Sequence, residues 1–541
     1  MDFLASIPHL VSWVIFLPAI GALVALFMPS DDGVRWTALG TTTLTFLISL
    51  GLWFGFDPAV STAEGPQLVE QTLNWFPGVD ITYFVGVDGL NLLLLLLTTL
   101  LGPIIVLSSW TYIGKQIKGY YVLMLILQTG VLGVFASFDL FLFYIFFELT
   151  LIPMYFIIGI WGGENRIYAA IKFVLYTLFG SLLMLVGVLW LGFAAGDAVN
   201  GGVFTTNWYK LVAYGVPLGS QFWLFILFAL AFAIKVPLFP FHTWLPDAHV
   251  QAPTGGSVVL AGVLLKMGTY GLVRFVLPFF PNAAQDLAVP IAVLALIGIV
   301  YGALVAYAQE DAKKLVAYSS VAHLGFVVLG IFAFTTEAMQ GAMIQMVNHG
   351  ISTGALFLII GMLYERRHTR LMADYGGIAK SVPVLTFFMV FSVLASVGLP
   401  GLNGFVGEFL ILLGTFKSTV LGAWWIVTIA TSGVIFAAVY LLTMLYKTFY
   451  GPLDADSPNA TMSDLNGREI GLLVPLAVLM FVLGFFPAPF LEKSEPSVQD
   501  LLGVIETKRI AAIEADRALT DGEGQAVALP LQNAFSETAT P

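Results

Sequence analysis

The sequence contains no cysteine, and it is poor in charged residues. Without cysteine the chain cannot form disulfides, thiolate metal sites or cysteine-ligated iron–sulfur clusters. Charged residues make up only 10% of its 541 residues, whereas a soluble protein carries about 25%. Hydrophobic residues account for 59%, and the mean hydropathy is +0.92. This composition predicts an all-α polytopic membrane protein, because open sheet edges cannot face lipid.

Several motifs are also missing. There is no phosphate-binding P-loop, so we do not expect ATP to drive this chain. No GxGxxG motif followed by an acidic residue occurs in a strand–helix context, so we expect this chain to bind no nicotinamide, flavin or haem itself. The net charge of −11 gives no indication of nucleic-acid binding. The amino-terminal apolar run lacks a positive n-region and is too long for a signal peptide, which predicts a first transmembrane helix.

Apolar segments long enough to cross a bilayer recur along the chain as far as residue 490. Two of them are interrupted, the seventh at Val236-Pro237 and the twelfth at Leu399-Pro400-Gly401, which predicts two discontinuous helices. We count about 14 segments, near residues 8–28, 34–56, 88–112, 119–136, 138–160, 168–195, 220–239, 255–279, 286–307, 313–334, 338–364, 381–415, 423–447 and 469–490.

The interruptions lie five spans apart, which suggests two five-helix repeats. Because five is odd, the second repeat would be inverted in the membrane. In the outer loop, alternating apolar residues at 81–85 predict a short hairpin. In the tail, residues 497–519 are compatible with a surface helix and 520–541 with disorder. The expected units are N-terminal helices with an outer loop, first repeat, second repeat, last transmembrane helix and outer-side polar tail, over 1–118, 119–279, 280–450, 451–490 and 491–541.

Loop charges predict the orientation of the chain. If the first span enters from outside, most lysines and arginines of the short loops lie on the inner side, Arg166 and Lys172 among them. Both termini are then expected on the outer side.

Two lysines lie inside or at the end of apolar spans. Lys235 immediately precedes the first interruption, and Lys266 lies near the middle of the next span. A lysine in the hydrocarbon region costs about 3 kcal/mol or more and indicates function by default. The alternative is a side chain that extends to the headgroups. Two such residues beside a broken helix predict a path for charge through the membrane.

Four further ionisable residues lie within predicted spans. Glu148 has no neutralising neighbour in sequence, and Glu408 follows the second interruption. His323 and His349 titrate near physiological pH, which suits a proton relay. The alternatives are neutral side chains held by hydrogen bonds inside the bundle, or, for Glu408, a structural carboxylate at a helix end.

Other polar residues are accessory candidates. His242, Asp247 and His249 surround a Trp-Leu-Pro sequence after the first interruption. Their spacing would permit a metal site, but we expect no metal, because such loops more often use these groups to cap helix ends; a role near proton uptake is also compatible. Asp139 and Arg274 lie at the outer ends of their spans, where they would either pair or anchor the helices.

Three long motifs resemble one membrane-protein family. They are AIKVPLFPFHTWLPDAHVQAPTGGSVVLAGVLLKMGTYGL, FFELTLIPMYFIIGIWG at 146–162 and LPGLNGFVGEF at 399–409. These motifs are similar to those of the antiporter-like, proton-translocating membrane subunits of respiratory complex I, the bacterial NADH-quinone oxidoreductase. The resemblance covers roughly residues 1–490, and it implies the same inverted repeat.

The resemblance also implies roles for the buried residues. It pairs Glu148 with Lys235, makes Lys266 the central proton carrier and places His323 and His349 on a central hydrophilic axis. At the position of Glu408 most antiporter-like subunits carry lysine, whereas one class of complex I subunit carries glutamate. Glu408 therefore indicates that class, with proton release to the outer side.

The expected function is proton translocation coupled to quinone reduction in partner subunits. The resemblance implies that NADH, flavin, iron–sulfur clusters and quinone bind those partners, that two sister antiporter-like subunits are among them, and that the chain spans a bacterial inner membrane with periplasmic termini. The alternatives are a subunit of a multi-component cation/proton antiporter, a ferredoxin-driven plastoquinone reductase, and a scaffold that pumps nothing. Glu408 argues against the antiporter, and the series of buried ionisable groups argues against the scaffold.

Overall fold

The computed structural model describes residues 2–62, 65–72, 75, 77–422 and 424–520. Almost all of its regular structure is helical, as the composition predicts. The first half contains α1 (Asp2–Ala5), α2 (Leu10–Phe27), α3 (Asp31–Gly55), β1 (Gln67–Gln71), β2 (Phe84–Val87), α4 (Leu92–Ser108), α5 (Ile117–Ala136), α6 (Leu140–Leu149), α7 (Leu151–Trp161), α8 (Arg166–Val199), α9 (Trp208–Tyr214), α10 (Leu218–Lys235) and α11 (Trp244–Gln251).

The second half begins with a span built from helical pieces of two kinds. Its pieces are α12 (Thr254–Val259), α13 (Leu265–Gly271) and α14 (Leu277–Phe279), separated by π-helical segments at Leu260–Leu264 and Leu272–Val276. There follow α15 (Pro281–Asp286), α16 (Ala288–Tyr307), α17 (Ala312–Ile331), α18 (Thr336–Arg367), 3₁₀ turns at Met372–Asp374 and Ile378–Lys380, α19 (Pro383–Val397), α20 (Asn403–Lys417), α21 (Trp424–Leu445), a π-helical segment at Tyr446–Tyr450, α22 (Gly467–Phe485) and α23 (Ala488–Thr520).

The helices correspond closely to the predicted spans. Among the described residues, 12 helices are long and apolar enough to cross a membrane. Two shorter apolar helices, α4 and α19, coincide with the third and twelfth predicted spans. A polytopic helical membrane protein is therefore confirmed, while the count of fourteen spans and the two inverted repeats with their boundaries stay predictions.

Both predicted interruptions are present. Helix α10 ends at Lys235, directly before Val236-Pro237, and α19 ends at Val397, six residues before α20 begins at Asn403. Proline cannot donate the backbone hydrogen bond that would continue a helix, so each helix ends close to a proline.

The loop between α3 and α4 contains the expected hairpin. Strand β1 pairs antiparallel with β2, and Gln67 lies opposite Val87 while Gln71 lies opposite Phe84. The second strand begins at Phe84, later than the alternation at 81–85 predicts. Val85 and Val87 are fully buried, so the hairpin packs against the helices below it.

The long helix α23 follows the last span. It begins nine residues before the predicted surface helix and buries one face, including Val498, Leu501 and Ile505, against α10, α14, α15 and α18. Disorder was predicted for 520–541. Thr520 is the last residue of α23, and 521–541 lie outside the described residues.

Burial identifies the centre of the bundle. The span that runs from α12 to α14 is completely buried, and so is the apolar part of α18. Helix α17 is buried over nearly all of its length, whereas α3, α21 and α22 each leave most of their surface open. The three central helices are those that carry Lys266, His323 and His349, so these side chains lie in the protein interior.

Candidate functional site

Lys235 lies at the end of α10, where the helix breaks. Pro237 follows, and it cannot extend the helical hydrogen-bond pattern. Trp244 closes the helix end, because its indole Nε1 donates to the carbonyl oxygen of Ile234 at 2.8 Å. Trp244, a residue of the same sequence motif, therefore stabilises the helix break, and the break fixes the position of Lys235.

The Lys235 ammonium is buried among aromatic rings. Its Nζ lies 4.9 Å from the ring centroid of Phe147 and 5.7 Å from that of Phe173, and aromatic faces attract a cation. Neither this Nζ nor Oε1 of Glu148 has a hydrogen-bond partner within the described ranges. The described residues therefore contain no direct ion pair between Glu148 and Lys235. Aromatic rings occupy the position beside the ammonium, and the two charges interact only through space.

The helices that carry Lys235 and Lys266 are in direct contact. A Cβ atom at Gly268 would lie 2.9 Å from the carbonyl oxygen of Phe232 and 3.0 Å from the backbone nitrogen of Val236. Only glycine permits this approach of α13 to the end of α10. The contact brings the helix segment of Lys266 next to the break that carries Lys235.

Lys266 is hydrogen-bonded to a histidine of another helix. Its side chain donates to the carbonyl oxygen of Ala261 in the preceding π-helical segment, and its Nζ lies 2.6 Å from Nδ1 of His349 on α18. Both residues are buried. An ammonium can only donate, so the imidazole nitrogen accepts when the lysine is charged, and the roles can reverse when it is neutral. This pair can exchange a proton directly.

A second histidine is hydrogen-bonded to Glu408. Nδ1 of His323 lies 2.9 Å from Oε1 of Glu408, and Nε2 of the same ring lies 3.3 Å from the hydroxyl of Tyr440. Gln345 donates to the same carboxylate oxygen at 3.2 Å. All four side chains are buried. Glu408 is therefore a hydrogen-bonded carboxylate inside the bundle, within proton-transfer distance of a histidine.

The second helix break sets the position of Glu408. Gly398 ends α19 with φ of 84°, and a Cβ there would lie 3.1 Å from Oε2 of Glu408. The side chain of Asn348 donates to the carbonyl oxygen of Asn403 at 2.7 Å, and Asn403 donates in return to that of Asn348 at 3.3 Å. These reciprocal bonds hold the start of α20 against α18, so that Glu408 faces the central histidines.

The two hydrogen-bonded pairs form one line. The ring centroids of His323 and His349 are 6.0 Å apart, and Nε2 of His349 has no hydrogen-bond partner among the described residues. The order is Lys266, His349, His323 and Glu408, taken from α13, α18, α17 and α20. Four residues that the sequence singled out in four separate spans are thus brought together, while Glu148 and Lys235 lie at the other helix break.

The three polar residues after the first break do not converge on one point. Asp247 forms an ion pair with Lys172 at 2.7 Å, and the ring of His249 stacks on Phe357 with centroids 4.6 Å apart. Burial and the charge of Lys172 lower the pKa of His242, and burial lowers the pKa of His249 well below its ordinary value. The expectation that these groups cap helix ends is wrong, because the charge of Lys172 and the aromatic rings attract them instead.

Asp139 and Arg274 do not pair with each other. Arg274 forms a buried ion pair with Asp88 at 2.5 Å and also donates to the hydroxyl of Tyr270 at 3.0 Å. Asp139 caps the start of α6 by accepting from the backbone nitrogen of Leu142 at 3.0 Å, and burial raises the pKa of Asp139 to about 6. The anchoring alternative is therefore correct for Asp139, and the expected pairing is wrong because Asp88 lies closer to the arginine.

Three residues of these networks were not predicted from the sequence: Gln345, Tyr440 and Asp88. Gln345 precedes His349 by one helical turn and Asn348 by three residues, so polar residues recur at helical spacing inside an apolar span. That periodicity was a usable signal for Gln345. Tyr440 and Asp88 carry no comparable signal, because nothing near them in sequence indicates their partners.

Comparisons with known proteins agree with this architecture. The family described as NADH:quinone oxidoreductase/Mrp antiporter, TM, matches residues 137–436. This range includes all six of the ionisable residues that we singled out within the predicted spans, from Glu148 to Glu408.

The chain is similar to individual proteins over most of its length. NADH-quinone oxidoreductase subunit M of Rhodobacter capsulatus is 44% identical over 510 residues, which cover 91% of this chain and 96% of the relative. The protein of the same name from Escherichia coli (strain K12) is 42% identical over 503 residues, covering 91% and 97%.

Solved structures show the same architecture. A chain of respiratory complex I from Thermus thermophilus with bound NADH matches with a TM-score of 0.81 and 34% identity, covering 92% of this chain and 99% of that one. A chain of the Mrp complex from Dietzia sp. DQ12-45-1b matches with a TM-score of 0.77 and 21% identity over 93% and 99%, which is similarity of fold alone.

Proposed function

Because the chain belongs to the NADH:quinone oxidoreductase/Mrp antiporter transmembrane family, we propose that it is a proton-translocating membrane subunit of an NADH-quinone oxidoreductase of the complex I type. The family predicted from the sequence motifs is confirmed by relatives named subunit M that align with nine-tenths of the chain. The chain is accordingly a multi-pass membrane protein that acts as part of a larger enzyme complex.

The line from Lys266 to Glu408 is the observation that supports the transport route. In our proposal a proton is taken up from the inner side near Glu148 and Lys235 and passes to Lys266. From there it moves to Nδ1 of His349, 2.6 Å away. It leaves toward the outer side through Glu408.

The two ring nitrogens of each histidine let a proton pass through the imidazole. An imidazole that accepts a proton at Nδ1 can release one from Nε2, so His349 hands the proton on from the nitrogen that faces away from Lys266. His323 then accepts at Nε2, whose contact with the Tyr440 hydroxyl must open first, and releases the Nδ1 proton to Glu408, 2.9 Å away. Nε2 of His349 has no hydrogen-bond partner among the described residues, so the step between the two rings, whose centroids are 6.0 Å apart, is the one step of the line without a hydrogen bond. We propose that this step is where the relay is gated.

Partner subunits must supply the energy. Moving one charge against 100 mV takes about 2.3 kcal/mol, and the chain has no cysteine with which to hold an iron–sulfur cluster. We therefore assign NADH, flavin, iron–sulfur clusters and quinone to partner subunits, and count two sister antiporter-like subunits among the membrane partners. We also place the complex in a bacterial inner membrane, with the chain's termini on the periplasmic side.

Pumping by the purified complex tests this proposal. The complex should co-purify with redox subunits that mass spectrometry identifies, oxidise NADH and acidify reconstituted vesicles in sodium-free buffer. Strict dependence on sodium would favour the antiporter alternative. Turnover with reduced ferredoxin but not with NADH would favour the plastoquinone reductase.

A further inference from the structure

An apolar groove runs along one side of the bundle, between α3 and α22. Its volume is about 370 Å³, and leucine and aromatic side chains line it. Phe46, Leu50 and Trp53 recur along one face of α3, so the groove follows that helix for about 10 Å. Leu97 of α4 and Leu479 of α22 also line the groove. A cavity of about 150 Å³ with such a lining stays dry and binds apolar groups, so this larger groove favours an apolar occupant.

An extended hydrocarbon chain matches this groove better than a protein helix does. A helix with its side chains is about 10–12 Å across, whereas an extended hydrocarbon chain is narrower and follows a groove of this length. The described lining is hydrophobic and carries no charge, so nothing in it selects a particular protein segment. These features favour an acyl chain over a transmembrane helix of a neighbouring subunit.

The floor of the groove is the back of the proton-relay helix. Val347 and Ile351 of α18 line the floor, and His349 lies halfway between them in sequence. Residues two positions apart in a helix point to opposite sides, so His349 faces away from the groove. Only α18 separates the groove from the hydrogen bond between His349 and Lys266.

A lysine lies at the rim of the groove, where α3 ends. The ammonium of Lys493 donates to the carbonyl oxygens of Trp53 at 3.3 Å and Phe56 at 2.5 Å. Its Nζ is also 5.3 Å from the Trp53 ring, which packs against Phe490 with centroids 5.4 Å apart. A lysine ammonium has three donors, and the carbonyls use two of them. Asp57 interacts electrostatically with Lys493 but forms no direct ion pair with it.

We propose that this groove binds one acyl chain of a phospholipid whose phosphate contacts Lys493. The remaining ammonium donor binds the phosphate as a point charge. Trp53 lies where tryptophans are enriched in membrane proteins, at the boundary between headgroups and hydrocarbon. The apolar walls accept the acyl chain and carry no charged side chain.

A lipid acyl chain in the groove also affects proton transport, and this part of the inference rests on the proposed function. An acyl chain in the groove keeps water away from the back of α18, next to Lys266 and His349. The lipid therefore insulates the relay against proton leakage into the membrane.

The test uses the assembled complex in nanodiscs made with phosphatidylethanolamine that carries dibrominated acyl chains. Cryo-electron microscopy should show bromine density in the groove and a phosphate beside Lys493. Leu50→Trp fills the groove and should remove the bromine density. Leu47→Trp, on the exposed side of the same helix, is the matched control and should retain it. Lys493→Gln should remove the ordered phosphate and leave the acyl chain.

Two outcomes would overturn the proposal. One is a protein segment of a neighbouring subunit in the groove. The other is bromine density there that is no stronger than in the surrounding bilayer, or that persists in Leu50→Trp. The readout is independent of pumping, so the lipid site stands if the complex fails to translocate protons. In that case only its insulating role falls. If the bound lipid insulates the relay, a polar substitution that displaces it without filling the groove, Leu50→Asn, should make vesicles leak protons faster than the exposed control Leu47→Asn does.

Discussion

Replacing Glu408 with glutamine tests the proposed relay at its last residue. Glutamine keeps the size of the side chain, and its amide oxygen can still accept from Nδ1 of His323, now 2.9 Å from the carboxylate. Hydrogen bonds to charged groups contribute about 1.5–3 kcal/mol and neutral ones about 0.5–1.5 kcal/mol. The substitution therefore costs about 1 kcal/mol for each of the bonds from His323 and Gln345. We expect the complex to assemble.

The effect on transport should be much larger. An amide cannot take up a proton, so a proton on His323 has no acceptor at the end of the line. A positioned proton acceptor accelerates a transfer step by about 100-fold or more. We expect proton pumping to fall at least about tenfold, which corresponds to about 1.4 kcal/mol on the barrier. Quinone reductase activity should fall with it if the two are tightly coupled.

The assay compares acidification of sodium-free vesicles with NADH oxidation by the same preparation. Glu337→Gln is the matched control, because Glu337 is a carboxylate at the start of α18 that pairs with Lys417 at 2.6 Å and lies away from the line. It should pump normally. A wild-type rate of proton pumping in Glu408→Gln would remove Glu408 from the path and refute the reasoning.

Three further predictions concern other parts of the chain. Lys235→Met keeps the packing against the aromatic rings but removes the carrier, so we expect assembled complex with strongly reduced pumping; unchanged proton-to-electron stoichiometry would contradict this. Glu148→Gln should reduce pumping similarly and Glu148→Asp less, because aspartate keeps the charge with a shorter reach; the same vesicle assay checks this order. Burial lowers the pKa of Lys508 on α23 to about 7, from 10.5 when it is exposed. Between pH 7 and 10.5, Lys508 carries a proton when α23 is undocked but not when α23 is docked. Docking therefore releases this proton, and it should become more favourable as pH rises above 7. Hydrogen exchange of α23, corrected for intrinsic rates, should show rising protection between pH 6.5 and 8.5, and Lys508→Met should abolish that dependence.

The sequence alone determined the features that depend on local properties. Hydropathy located the spans, since about 20 apolar residues are needed to cross a bilayer wherever they occur. Proline placed both helix breaks, because its missing N–H acts on its own helix. A charged residue inside an apolar run is also visible without a structure, and this identified Lys235, Lys266, Glu148 and Glu408. The motifs around these residues were long enough to identify the family.

Only the tertiary structure decided which of these residues meet. Lys266 and His349 are 83 residues apart, and His323 and Glu408 are 85 apart, yet each pair is hydrogen-bonded. Arg274 pairs with Asp88 across 186 residues and not with Asp139, although both carboxylates lie close to the start of a helix. Hydropathy shows that a helix spans the membrane but not which neighbour it packs against or which way it is rotated. Those choices follow from side-chain packing between helices, such as the contact that Gly268 permits, and packing leaves little trace in the spacing of residues along one chain.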